Sequence, residues 1–352
     1  MIVGAEKVTI RNGHFRVERE YDPSVRVPDI MLNCVGFVGE VTHRDTSGAD
    51  EGDLHATGFF VSIPIGENGG PPSLVYFVTA KHVAKDLANR ELYFLVNKMG
   101  GGVTTISTLS DRWYTHPTDP TADVAVVQVA DPRNADIRAV NIKSLGTPEM
   151  LRMMGIGVGD DVFAVGLFTP VAGSARNEAI VRYGNVAMMP QEQIQTELGY
   201  ADVYLIEARS IGGLSGCPVF VRPTATLPLA ESPNPYIKKI LAIGIGSVLL
   251  GVMHGHWDIK ESEMNKAYFG HDRKHGVNLG IAIVVPAQKI LETINQPELI
   301  EMREKQLAAV KQQSVPGMDS ARPKDESKEP FTKDNFESVL RKVTRKIVPD
   351  KK

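Results

Sequence analysis

A succession of short β-type runs limits this chain more than any other feature of its sequence. From Met31 onward come NCVGFVGEV (33–41), TGFFVSIP (57–64), LVYFVTA (74–80), LYFLVN (92–97) and DVAVVQV (123–129). They continue as DDVFAVGLF (160–168), DVYLIEA (202–208), CPVFVRP (217–223), ILAIGIGSVLLGVM (240–253) and GIAIVV (280–285). Val, Ile, Phe and Tyr fill these runs, and Gly, Pro, Asp and Asn punctuate them. Little helical patterning intervenes, so the expected class is all-β, a sandwich or barrel architecture. At 352 residues the chain is sized for one large or two medium units plus extensions. Its 42% hydrophobic and 23% charged residues exclude global disorder.

The flanks read differently. Residues 1–29 are polar and mixed, an N-terminal extension. After Pro286 the segment PAQKILETI has Ile290, Leu291 and Ile294 at helical spacing, and a second helix is expected over 297–313. Residues 314–333 are rich in Pro, Ser and charge, which marks a linker. Residues 334–352 put Phe336, Val339, Leu340, Val343 and Ile347 on one helical face beside six basic residues, a basic amphipathic segment. Such a segment could dock on a regulatory protein partner, on an acidic surface or on its own barrel, or it could be a frayed terminal helix.

Charge and cysteine usage exclude several classes. The net charge of −3 argues against wholesale nucleic-acid binding. Two cysteines, Cys34 and Cys217, cannot make a dense disulfide framework, and Cys34 reads as a small buried hydrophobe. The N-terminus lacks a basic region followed by an apolar core. The longest apolar stretch, 240–253, is too short and too glycine-rich to span a bilayer. A cytoplasmic location is the expectation. No metal or organic cofactor is expected. The histidines at 254, 256, 271 and 275 could be spaced for zinc, but the charged intervening segment reads as a solvated loop with incidental histidines.

Three segments carry chemistry together. VTAKHVA puts His82 just after a strand, PTADVAVVQV puts Asp123 at the mouth of one, and IGGLSGCPVF puts Ser215 between glycines. Small residues around Ser215 allow a tight turn and close approach of a substrate carbonyl. Amides of Gly213 and Ser215 aimed the same way would form a two-donor oxyanion hole. A serine hydroxyl is a weak nucleophile at neutral pH and needs an adjacent base. An imidazole titrates near operating pH, and a carboxylate fixes its tautomer. His55 and His116 are the alternative bases, and Asp119 is the alternative acid.

The order His82, Asp123, Ser215 in an all-β chain resembles the trypsin-like serine peptidases. TAKH resembles that family's Thr-Ala-Ala-His segment, ADVAVV its Asp-bearing segment, and GLSGCPVF its Gly-Asp-Ser-Gly-Gly-Pro loop. NLGIAIVVPAQKILETI is similar to the closing strand and C-terminal helix of bacterial trypsin-like peptidase domains. The resemblance covers residues 30–296. It implies two six-stranded antiparallel β-barrels, with a crossover near 140–160 and the active site between them. It further implies endopeptidase activity on protein or peptide substrates through an acyl-enzyme on Ser215. His82 would be the base, Asp123 the orienting acid, and the Gly213 and Ser215 amides the oxyanion hole.

Departures from the pattern bear on control and specificity. Leu214 stands where many members have an Asp that pairs with a newly cut N-terminus, so activation by N-terminal cleavage is not expected. By position, Arg209 and Ser210 would lie at the base of the specificity pocket, with Gly280 and Ala282 on its walls. VMHGH (252–256), including His254, would pair with substrate backbone. Arg209 could favour an acidic substrate side chain, or could turn to solvent or pair with Glu207. Two other functions fit the same residues: a catalytically silent peptide-binding or scaffold module, and an acyl hydrolase confined to small esters.

Overall fold

A computed structural model gives the architecture. It describes residues 6–11, 14–19, 27–44, 50–65, 73–88, 90, 92–106, 108, 112–130, 135–168, 176–208, 213–224, 247–259 and 277–314. Arg209, Ser210, His271, His275 and the segment 315–352 lie outside the described residues.

The N-terminal residues pair as a two-stranded hairpin, β1 (Glu6–Arg11) with β2 (His14–Arg19). A short helix, α1 (Asp29–Leu32), precedes the first large sheet. That sheet is built from β3 (Val35–Arg44), β4 (Asp50–Pro64), β5 (Ser73–Thr79), β6 (Leu92–Asn97), β7 (Val103–Ile106), β8 (Tyr114–Thr115) and β9 (Ala125–Val129). Their order is β7-β6-β3-β4-β5-β9-β8, and β10 (Val140–Asn141) adds to β4 in parallel. Helix α2 (Lys81–Asp86) leaves directly from the end of β5.

A 3-10 turn (Ile142–Ser144) and α3 (Pro148–Met154) lead to the second half. Here β11 (Asp161–Gly166), β12 (Ile180–Met188), β15 (Tyr204–Glu207), β16 (Pro218–Arg222), β17 (Val248–Ile259) and β18 (Val277–Pro286) close into an antiparallel barrel. A small hairpin, β13 (Ile194–Thr196) with β14 (Gly199–Ala201), hangs between β12 and β15. Two helices finish the described chain: α4 (Ala287–Ile294) and α5 (Pro297–Ser314).

The all-β class is as expected, but the pair of six-stranded barrels is shown only in part. One six-stranded barrel is closed. The other half is an eight-stranded sheet whose ends, β7 and β8, are not paired to each other among the described residues. β8 has two residues and β7 four, too few for a full ladder.

Burial explains why these segments pair. β5 alternates at its start and is then buried on both faces, and every residue of β9 is buried. In the first half Phe77 meets Phe60 edge to face (centroids 5.0 Å apart) and Phe94 at a tilt (4.4 Å). A separate cluster fills the barrel, including Val162, Ile206, Val219 and Leu250. A third cluster spans both halves. Phe59, Tyr76 and Val126 from the sheet meet Phe163, Phe220 and Leu249 from the barrel, and Ile290, Ile294 and Leu299 cover them.

Polar contacts fix α4 and α5 over that shared core. Lys289 bridges Asp119 of the first half (2.7 Å) and Asp202 of the second (3.1 Å). His116 Nε2 meets Glu292 at 2.7 Å. The buried Arg303 donates to the Ile294 carbonyl, the Tyr76 hydroxyl and Asn295 Oδ1. The buried amides of Gln306 and Gln128 exchange hydrogen bonds at 3.0 Å, which satisfies the one polar side chain of β9.

Candidate active site

The site is built from the ends of four elements. β5 ends at Thr79, and after Ala80 the chain turns at once into α2, so His82 lies in its first turn. Ala80, at the N-cap, offers no side-chain acceptor to the helix's free N–H groups. Asp123 supplies one from across the sheet: its Oδ1 accepts the His82 backbone N–H at 2.8 Å. Its Oδ2 lies 2.7 Å from His82 Nδ1. One carboxylate thereby fixes both the backbone and the ring of the same histidine. Asp123 sits just ahead of β9, and its side chain is 1% exposed.

A second imidazole shares that carboxylate. His254 Nδ1 lies 2.5 Å from the same Oδ2, and the two rings meet edge to face with centroids 5.3 Å apart. With Asp123 ionised, each Nδ1 carries the proton and donates. The lone pair of each neutral ring is then at Nε2.

Electrostatics follow from burial and these bonds. Burial alone would raise the Asp123 pKa, but the hydrogen bonds from His254 and His82, with their charges, hold it well below the usual carboxylate range. Burial disfavours charge on His82, yet the Asp123 hydrogen bond and charge outweigh it, so His82 titrates above its ordinary value. The pair is therefore a carboxylate that stays ionised beside an imidazole disposed to accept a proton.

Ser215 lies in a glycine turn in the second half, at a partly exposed position. Gly213 and Gly216 have φ of +93° and +83°, the left-handed region that a residue without Cβ adopts at no steric cost. The turn closes through Cys217 N–H to the Leu214 carbonyl at 3.0 Å. Leu214 is fully buried in the barrel core. Gly216 N–H donates to the Met253 carbonyl at 2.8 Å, which ties the turn to the residue before His254. A Cβ built on Gly216 would lie 3.0 Å from Ala80 N, so the residue after Ser215 abuts the residue two before His82. Among the described residues, no backbone carbonyl accepts from the N–H of Gly213 or Ser215.

The alternative bases and acid have other partners. His55 faces Glu40 at 3.8 Å. His116 is enclosed against Glu292. Asp119 accepts from Thr121 and Ala122 and pairs with Lys289. Gly280 and Ala282 lie on β18, where Ala282 stands across from His256 and the Gly280 carbonyl accepts from Ala208 N–H at 2.8 Å. A Cβ on Gly280 would meet nothing within 4 Å. Cys34 and Cys217 are free and buried, which pushes both thiols up.

Sequence reasoning placed His254 on the strand beside the substrate and missed its contact with Asp123. The only available signal was its neighbour Gly255 on a strand following the serine turn.

The same three side chains could in principle hold a metal, since one ligand atom from each of His82, Asp123 and His254 lies within 4.8 Å of the others. The separations of 2.7 and 2.5 Å are those of shared protons. Tetrahedral zinc with bonds of about 2.0–2.1 Å would hold its ligand atoms about 3.3 Å apart. As arranged, the cluster is a pair of hydrogen bonds on one carboxylate oxygen, too close for zinc ligands.

Neither a family model nor a curated protein sequence matches the chain. Among solved structures it is similar to the apo protease domain of MamO from Magnetospirillum magneticum, at 16% identity and a TM-score of 0.44. The match covers 76% of this chain and 98% of that one.

Proposed function

We propose that the protein is a trypsin-like serine endopeptidase with His82, Asp123 and Ser215 as its triad. The observation that carries this reading is the double hold of Asp123 on His82, at the backbone and at Nδ1, which leaves Nε2 to act as base. The Ser215 turn, which lies beside Ala80 and is tied to Met253 of β17, supports it.

In this reading a peptide lies across the junction of the two halves. Ser215 Oγ attacks the scissile carbonyl carbon while its proton passes to His82 Nε2. The buried Asp123 carboxylate stabilises the imidazolium that forms. The carbonyl oxygen becomes an oxyanion held by the N–H groups of Gly213 and Ser215. Collapse of the tetrahedral intermediate breaks the C–N bond, and His82 returns its proton to the leaving amine. Water then attacks the acyl-enzyme by the same path, releasing the acid and restoring Ser215. His254 holds the far side of Asp123 throughout and takes no proton from substrate. The free thiols Cys34 and Cys217 suit a reducing compartment.

The test is covalent labelling of the full chain with a fluorophosphonate, alongside Ser215→Ala and His82→Ala and a panel of peptides and small esters. The expected result is labelling of wild type alone, with cleavage of peptides. A folded wild type that never labels puts the silent binding module first, and turnover confined to small esters makes the protein an esterase.

A further inference from the structure

We propose that Thr57, in the half of the molecule opposite the serine turn, is a positioning residue that holds Gly213 to Ser215 in the shape of an oxyanion hole. This rests on the serine-hydrolase reading above. Thr57 is a fully buried polar residue of β4, and each of its polar groups is engaged. Its hydroxyl donates to the Gly213 carbonyl at 2.7 Å and accepts from Leu167 N–H at 2.8 Å. Its own N–H donates to the Ser215 carbonyl at 3.2 Å. Its carbonyl accepts from the Thr79 hydroxyl at 2.8 Å.

These bonds fix the peptide planes on which an oxyanion hole depends. A trans peptide points its C=O and N–H in opposite directions, so pinning one aims the other. The Gly213–Leu214 plane is pinned by Thr57 Oγ1. The Leu214–Ser215 plane is pinned by Cys217 N–H, which turns the Ser215 N–H outward. The Ser215–Gly216 plane is pinned from both ends, by Thr57 N–H and the Met253 carbonyl. Rotation of the first plane would change ψ of Gly213 and φ of Leu214 and so tilt the adjoining Leu214–Ser215 peptide, which carries the Ser215 N–H. The Leu214 side chain is apolar and packs in the barrel core, and the side-chain hydrogen bond on that first plane comes from Thr57. Thr79 in turn holds Thr57 and directly precedes the helix carrying His82, linking the base and the hole through one buried chain.

The test compares Thr57→Val, which keeps shape and loses the hydroxyl, with Thr57→Ser, which keeps the hydroxyl, and with Thr57→Ala. Two quantities are read on the full chain: fluorophosphonate kinetics separated into reagent binding and the covalent step, and hydrogen exchange of the Gly216 and Cys217 amides, which are bonded to the Met253 and Leu214 carbonyls. The Val and Ala variants should react about 10²–10³-fold slower in the covalent step, the scale of losing one oxyanion donor, with reagent binding within a few-fold of wild type. The Gly216 and Cys217 amides should lose protection in both, and the Ser variant should restore both readouts. Unchanged exchange in a folded Val variant overturns the proposal whether or not the protein labels. If wild type never labels but exchange responds as stated, the hydrolase reading fails and Thr57 still holds the turn. Unfolding of both Val and Ala variants makes Thr57 a residue of the fold alone and overturns the proposal.

Discussion

The two halves hold their reactive groups by different means. In the sheet half, His82 and Asp123 stand on the ends of a helix and a strand packed around Phe60, Phe77 and Phe94. Their geometry is fixed by two bonds within the half. In the barrel half, Ser215 stands in a turn of positive-φ glycines, and the bonds holding that turn come largely from outside it. Thr57 reaches it from the first half, and Met253 from the strand that also carries His254. The base is thus prearranged by its own half, whereas the nucleophile turn takes part of its hold from the other half. Any change at the junction should act first on the turn and last on the His82–Asp123 pair.

The largest effect should come from the pair itself. Asp123→Asn keeps the volume but removes the charge that fixes both Nδ1 protons, and labelling should slow by about 10⁴-fold with little change in fold. A loss below tenfold would mean that His82 is oriented by something other than Asp123. Next is Gly216→Ala. Its new Cβ would lie 2.1 Å from Thr79 Oγ1 and 2.3 Å from the Thr57 carbonyl, at φ +83°. Strain and overcrowding, each about 1–3 kcal/mol, should fall on the turn, so urea unfolding should show a loss of about 2–6 kcal/mol together with weakened labelling. Stability equal to wild type would show that the turn is free to move away from the first half.

A smaller effect is expected at the clamp. Lys289→Ala strips the cation from Asp119 and Asp202, which belong to different halves. These groups are only partly buried, so about 1–2 kcal/mol of unfolding free energy should go. The pH dependence has a definite sign. Burial works against ionisation of Asp119, but the hydrogen bonds from Lys289 and Thr121 outweigh it and hold its pKa below the unfolded value. Its stabilisation is complete above the unfolded carboxylate pKa, about 4, and is lost as pH falls below that value. In Lys289→Ala the acid-side loss should be shallower than in wild type. Parallel curves would mean that Lys289 does not link the halves.

How much of this was legible along the chain depends on which contacts are local. The runs announce strands because their residues are largely apolar and β-branched or aromatic, as in β6, which covers all of LYFLVN. β12 was not visible, because one of its faces is exposed and carries Tyr183 and Asn185. Barrel closure lies beyond local patterning, since it depends on which distant edges meet. The same limit applies to the site. His82, Asp123 and Ser215 could be singled out from their flanking residues and order. The roles of Thr57 and of His254 on Asp123 could not, because their contacts bridge 156 and 131 positions and exist only once β4 and β17 have their registers.

The two histidines on Asp123 give the finest test of the comparison, because they approach one oxygen from different halves. His82 is held above its ordinary value, despite its burial, by the charge and hydrogen bond of Asp123. Activity needs neutral His82, so labelling should rise with pH through a midpoint above about 6.5. His254 donates to the same oxygen and draws off part of that charge. In His254→Ala the carboxylate is left more fully to His82, its imidazolium is favoured further, and the midpoint should move upward. Labelling should then be a few-fold slower near neutral pH and equal to wild type once both are fully deprotonated. A loss that persists at high pH would instead mean that His254 orients Asp123 rather than sharing its charge. The first half would then not be self-sufficient, because its acid would rely on the barrel just as the serine turn relies on the sheet.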